Sequence, residues 1–170
     1  PSAFRYPRGT GLGIKLPDIK DVLEIGKGKI VSEGKHVAIL NFGARLYDCK
    51  KASEILKKKG ITSSILDARF AKPLDEKHII ELASNHEAII TIEEGSIGGF
   101  SSHVTKLLSD REFFDKGLKF RSMILPDKFL DQDTPEKMYK TAGLDFENIV
   151  QKVENVLNSN VVIAKNKNLS

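Results

Sequence analysis

The spacing of apolar and polar positions changes period along the chain, and the changes mark the elements. HVAILNF (36–42) is a strand pattern, directly after a turn signal at Glu33-Gly34 and a short strand, Lys29 to Ser32. Those two strands are expected to pair antiparallel. ARLYDCKKASEILKKKG (44–60) places Leu46, Cys49, Ala52, Ser53 and Leu56 at spacings of three and four. That stripe is an amphipathic helix, stopped by Gly60. ITSSILDAR (61–69) is a strand, and KPLDEKHIIELASNH (72–86) a helix opened by Pro73, with Leu74, Ile79, Leu82 and Ala83 inward. EAIITIEE (87–94) is apolar at consecutive positions, as in a strand buried on both faces. GGFSSHVTKLLSD (98–110) is a helix and LKFRSMIL (118–125) a strand. TPEKMYKTAG (134–143) is a short helix with Thr134 as N-cap and Pro135 at its first position. DFENIVQKVENVL (145–157) is a final amphipathic helix capped by Asp145.

Strands alternating with helices predict an open three-layer α/β sheet of about five strands. It is mostly parallel, with helices on both faces and the opening strand as one antiparallel edge. Residues 1–35 otherwise carry linker chemistry: PRGTGLGIKLPDIKD holds two prolines and three glycines. The last dozen residues are polar, weakly patterned and expected to fray. The opening PSAFRYPRG, with neither an initiator Met nor a signal-peptide pattern, reads as cut from something longer.

Composition narrows the class. At 170 residues, folding buries roughly 70% of the unfolded chain's surface, enough for a real core. Hydrophobic residues at 40% and charged residues at 29% are the balance of a soluble globular domain, and no apolar run is long enough to span a membrane. The net charge of +4 comes from 27 basic and 23 acidic residues, well mixed. The basic clusters at 57–59 and 164–168 lack interleaved aromatics, which argues against nucleic acid. The single Cys49 makes neither an internal disulfide nor a cysteine metal site, and its place in a helical stripe marks it as a small buried hydrophobe.

In an open sheet, function gathers beyond the carboxyl ends of the strands. Four segments fall there: 41–45, 67–73, 93–100 and 125–134. The segment IEEGSIGGFSSHV (92–104) joins Glu93 and Glu94 to three glycines and His103. Backbone N–H groups in such a turn can cradle an anion. Its glycine spacing is not a dinucleotide fingerprint, and no Gly-Lys-Ser/Thr follows. A tight turn with Glu94 capping the next helix is the plainer reading. Ser102 and His103 are helix neighbours that do not face each other, so they make no dyad. Asp127, Asp131 and Asp133 are spaced like part of a calcium loop, but the required Gly and distal Glu are missing. Asp133 and Thr134 read better as caps. His36, His78 and His86 share no zinc spacing. Arg5 and Arg8, around a Tyr and a Pro in FRYPRG, suit bidentate phosphate recognition.

FRYPRGTGLG, LEIGKGKIVSEG, DARFAKPLDEKHIIELASNHEAIITIEEGSIGGFSSHV and LPDKFLDQDTPEKMYKTAGL, in that order, resemble the C-terminal portion of the 1-deoxy-D-xylulose-5-phosphate synthase family. The blocks RF-KPLD, EEGS-GGF-S and LPD-F---TP carry the resemblance, which spares only the last ten or so residues. It implies an enzyme that condenses pyruvate with glyceraldehyde 3-phosphate, losing carbon dioxide, on thiamine diphosphate and magnesium. That reaction feeds isoprenoid precursor, thiamine and pyridoxal biosynthesis. By resemblance, residues 1–14 end a pyrimidine-binding domain, 15–35 hold the linker and first strand, 36–158 form a transketolase C-terminal domain, and 159–170 a frayed tail. Arg8 matches the family arginine that binds the substrate phosphate.

No GDG metal motif and no cofactor-activating glutamate is present, so the chain is expected to bind no cofactor and to be inactive alone. Its implied partners are the preceding domains of the same polypeptide and a second subunit of the parent, in bacterial cytoplasm or a plastid. Two other readings stay open: a freestanding anion- or regulator-binding module using the 93–100 turn, and the C-terminal domain of another thiamine diphosphate enzyme.

Overall fold

The computed structural model describes Gly11, Gly13, Asp18 and residues 22–159. Arg5, Arg8 and the tail 160–170 lie outside the described residues. Ten elements follow in order: β1 (Lys29–Ser32), β2 (Val37–Phe42), α1 (Leu46–Lys58), β3 (Ser63–Asp67), α2 (Glu76–Asn85), β4 (Ala88–Glu93), α3 (Phe100–Asp110), β5 (Lys119–Met123), α4 (Pro135–Ala142) and α5 (Phe146–Asn158).

The five strands form one sheet in the order β1-β3-β2-β4-β5. Strands β3, β2, β4 and β5 run parallel, and β1 is the single antiparallel edge. Side-chain alternation along the central strands divides the core into two layers. Val37 and Ile39 of β2 and Ile90 and Ile92 of β4 meet α1 and α5 through Cys49, Leu56, Ile149 and Val153. Ala38, Leu40 and Ile89 meet α2 and α3 through Ile79, Phe100, Val104 and Leu108. Both faces of β2 and β4 are buried, which is why their sequences are nearly continuous apolar runs.

Two expectations need correction. Strand β1 does not form a hairpin with β2: it crosses to β3, with Lys29 opposite Asp67 and a bulge between Ile30 and Ser32. The Glu33-Gly34 turn serves this crossing. Gly34 N donates to Ser64 Oγ at 2.9 Å, and a Cβ on Gly34 would overlap the Ser63 backbone. Helix α2 begins at Glu76 rather than at Pro73, because Asp75 takes the N-cap and accepts from His78 N at 3.2 Å. The Asp145 cap of α5 forms as expected, accepting from Asn148 N at 3.0 Å. Thr134 stands at the α4 N-cap, but its side chain makes no capping hydrogen bond. Asp133 accepts from Thr134 N at 2.7 Å instead.

Candidate functional site: the carboxyl rim of the sheet

Parallel strands β2, β3, β4 and β5 all end on one rim, and the loops that leave them are tied together there. Ala68 N donates to Asn41 O at 2.8 Å, and Leu125 N to Gly95 O at 2.9 Å. Asn41, fully buried, donates from Nδ2 to Gly43 O at 2.9 Å. The rim is therefore one connected surface.

Its two adjacent acids have separate tasks, fixed by strand parity. Even positions of β4 face α1 and α5, and Ile89 faces α2 and α3, so Glu93 and Glu94 leave opposite faces of the sheet. Glu93, almost fully buried, is the helix cap: Oε2 accepts from Phe100 N at 2.9 Å and Oε1 from Ser101 N at 2.8 Å. The expected cap, Glu94, is not used. Two glycines of the loop make room for this carboxylate. A Cβ on Gly95 would lie 2.6 Å from Glu93 Oε2, and one on Gly99 would also collide with it. The first N–H groups of α3 are all taken, since Ser102 N donates to Gly99 O. Gly98 N, just before the helix, donates to Ser102 Oγ. The turn is an anion cradle filled by the chain's own carboxylate, so no helix N–H is left there for an external anion.

Glu94 turns to the other face and meets Arg45. Arg45 Nε lies 2.7 Å from Glu94 Oε1, an ion contact whose angle falls short of a hydrogen bond. Its Nη1 donates to Asp48 Oδ2 at 3.1 Å, and the guanidinium sits 3.4 Å over the centre of the Tyr139 ring. One largely buried cation thus joins the ends of β2 and β4 to α1 and α4. Burial pushes the Asp48 carboxyl above its ordinary value, more than Arg45 draws it down. Burial and hydrogen bonding to Glu94 push the Tyr139 phenol up.

A third knot lies at the α2 corner. Asp75 Oδ2 accepts from Gly28 N at 2.8 Å and lies 2.7 Å from His78 Nδ1. Burial raises this carboxyl, but hydrogen bonds from the His78 ring, Gly28 N and His78 N outweigh it and hold the group below its ordinary value. The segment before β1 is pinned at this point.

The remaining sequence candidates do not assemble. His103 is half-buried on α3, and its ring makes no hydrogen bond to another described residue. His36 bonds Thr62, and His86 lies against Leu82 O, Gly34 O and Ser64 Oγ. Among the described residues no group of three or more His, Cys, Asp and Glu side chains could hold a metal ion. Asp133 pairs with Lys137 at 3.2 Å, while Asp127 and Asp131 are exposed. Burial first, then Asp48, push the Cys49 thiol far above its ordinary value, so it is no nucleophile. A cleft of about 340 Å³ between β5 and α5 is lined by Asn148, Gln151, Lys152 and Asn155 and contains no acid-base pair. Sequence reasoning missed Arg45, Tyr139 and Asp75. The available signals were β4 parity for Glu94 and an Asp three residues before His78 at a helix start.

The geometry has counterparts. The family described as "Transketolase, C-terminal domain" matches residues 26–149. The solved "Split gene transketolase, inactive beta4 tetramer" is 29% identical with a TM-score of 0.72 over 79% of this chain and 43% of that one. The transketolase from Campylobacter jejuni subsp. jejuni NCTC 11168 shares the fold at 13% identity, with a TM-score of 0.53 over 76% of this chain and 18% of that one. The chain spans less than half the length of either structure. With most of its described elements inside the matched range, the chain belongs to the transketolase C-terminal domain family.

Proposed function

We propose that this chain is the C-terminal portion of a thiamine diphosphate-dependent transferase of the 1-deoxy-D-xylulose-5-phosphate synthase type. In this reading it acts as an assembly domain, and Arg8 contributes to binding the substrate phosphate. One observation carries the assembly role: the carboxylates Glu93, Glu94 and Asp48, the Arg45 guanidinium and the first N–H donors of α3 are engaged with one another. Glu93 serves Phe100 and Ser101, and Arg45 serves Glu94 and Asp48. A site committed in this way holds loops in place and offers no acid, base or nucleophile to a substrate.

The three blocks behind the finer reading fall on rim corners. RF-KPLD contains Asp75, EEGS-GGF-S contains Glu93 with its glycines, and LPD-F---TP leads from β5 into α4. When bound, thiamine diphosphate with its magnesium supplies the carbanion chemistry of such enzymes. In this reading the metal's ligands come from the preceding domains of the parent; among the described residues no group of three or more His, Cys, Asp and Glu side chains could hold a metal ion. A homodimeric parent in bacterial cytoplasm or a plastid goes with the reading. Among the described residues no helix is long and apolar enough to cross a membrane.

The test is turnover of pyruvate and glyceraldehyde 3-phosphate by the full-length parent, its Arg8→Ala variant and the 170-residue chain. The expected pattern is a silent 170-residue chain and a variant whose KM for the aldehyde rises about ten- to a hundredfold, with kcat nearly kept. A parent that uses ketose donors instead of pyruvate would be another kind of transketolase. An Arg8→Ala variant equal to the parent would remove Arg8 from the site.

A further inference from the structure

Strand β5 ends the sheet on one side: it pairs with β4, and its outer edge has no neighbouring strand among the described residues. Lys119 N donates inward to Glu87 O at 3.1 Å, and Leu125 N, just past the strand, still turns inward to Gly95 O. In a parallel ladder the backbone groups alternate. Those of Lys119, Arg121 and Met123 therefore turn to β4, while those of Phe120, Ser122 and Ile124 turn outward. Arg121 Nη1 donates to Phe120 O at 2.7 Å, but no described side chain caps the outward groups of Ser122 and Ile124. Directly beside this edge runs the cleft of about 340 Å³ between β5 and α5. Asn148, Gln151 and Asn155 stand along it at helical spacings of three and four, so carboxamides, each a donor and an acceptor, line the α5 side. Lys152 lies among them, half-buried, and neither it nor the exposed Arg121 meets a carboxylate among the described residues. The acids of α5 are engaged elsewhere, Glu147 with Lys140 and Glu154 with Lys59.

We infer that this edge and its cleft take an extended, acidic segment of another polypeptide as an added strand. Backbone pairing to Ser122 and Ile124 supplies the affinity, and alternate side chains of the segment fall on the carboxamides, Lys152 and Arg121. Three contrasts select this occupant. A small molecule is held by concave, largely apolar walls with a few polar groups, whereas this cleft is polar along α5 and open along the strand, where Arg121 and Ser122 are exposed. A second copy pairing β5 to β5 antiparallel about its middle residue sets Arg121 against Arg121, a like-charge pair that opposes such a ladder. A basic segment meets Arg121 and Lys152 with the same sign, whereas carboxylates supply the missing counter-charge. The inference goes beyond the proposed transferase and does not depend on which donor that enzyme uses.

The test is titration of the 170-residue chain with a short peptide of alternating Val and Glu, read by amide hydrogen exchange. At saturation the amides of Phe120, Ser122 and Ile124 should exchange at least about tenfold more slowly, while those of Arg121 and Met123, already bonded to β4, change little. Ser122→Pro deletes an outward N–H and leaves the ladder to β4 whole, so this variant should keep its fold and bind at least about tenfold more weakly. Lys152→Glu should weaken binding to a similar degree, and a Val-Lys peptide should not bind. If Ser122→Pro fails to fold, Lys152→Glu and the charge-reversed peptide decide. Outward amides left unprotected at about millimolar peptide would overturn the inference, as would equal binding of the Val-Lys peptide. Protection that needs no peptide and grows with chain concentration would overturn it too, by making a second copy the occupant. Binding that a folded Ser122→Pro chain retains in full refutes strand addition.

Discussion

Replacing Glu93 by Ala tests the rim most directly, because its cost can be built from the contacts. The carboxylate is 3% exposed and accepts two backbone N–H groups at 2.9 and 2.8 Å. Hydrogen bonds to a charged group are worth about 1.5–3 kcal/mol each, and a buried N–H left without a partner costs about 1–3 kcal/mol. The two penalties overlap, since water can enter the space vacated. A total of about 3–5 kcal/mol is expected, against about 1 kcal/mol for Glu94→Ala, whose side chain is 29% exposed. At about 2–4 °C per kcal/mol for a chain of this size, Glu93→Ala should lower Tm by about 6–20 °C.

The glycines sharpen the test. Gly99 has φ −81°, which any residue can adopt, so the cost of Gly99→Ala comes from collision with the Glu93 carboxylate. Removing that carboxylate should relieve the collision. In a double-mutant cycle followed by urea unfolding, Gly99→Ala should be costly alone and nearly free beside Glu93→Ala, with a coupling of at least about 1 kcal/mol. Additive effects, or a Glu93→Ala variant as stable as Glu94→Ala, would refute the cradle.

Two further outcomes follow from the other knots. Asp75 is held below its ordinary pKa in the fold, so its contribution is complete above the unfolded carboxylate value, about 3.9, and drains away as pH falls through the lower folded value. Asp75→Asn should flatten the acid limb of stability below about pH 4, and an unchanged acid limb counts against the clasp. Arg45→Met strands Asp48 and Glu94 without their cation and should cost about 3 kcal/mol. Helix α4 has no buried residue and is held in part by Tyr139 on Arg45, so its amides should open first; unchanged exchange in α4 would remove Arg45 from that role.

Periodicity made most of the fold legible. The stripe of α1, the continuous apolar β4 and the capped α5 each state their element and their buried face. Strand β1 was not legible in the same way. A four-residue strand next to a Glu-Gly turn carries a local hairpin signal, while its true partner is set by backbone contacts of Gly34 with β3. The site divides along the same line. The 92–104 stretch was visible as a rim corner, but the choice between two neighbouring carboxylates depended on which sheet face each leaves. Arg45 carried no signal of its own beyond its place in the rim segment 41–45, since nothing local announces Tyr139, almost a hundred positions later in the chain.

The crossing of β1 also has a consequence for the order of synthesis. Residues 29–32 leave the ribosome before their hydrogen-bonding partner, since β3 ends at Asp67 and must follow all of β2 and α1. During that interval the first strand has no edge to join, because β3 is its neighbour in the sheet. The first strand of the sheet to be made is thus secured only after β2, α1 and β3 have followed it. A nascent chain halted within α1 would expose β1 to other extended chains, a window that chaperones would have to cover.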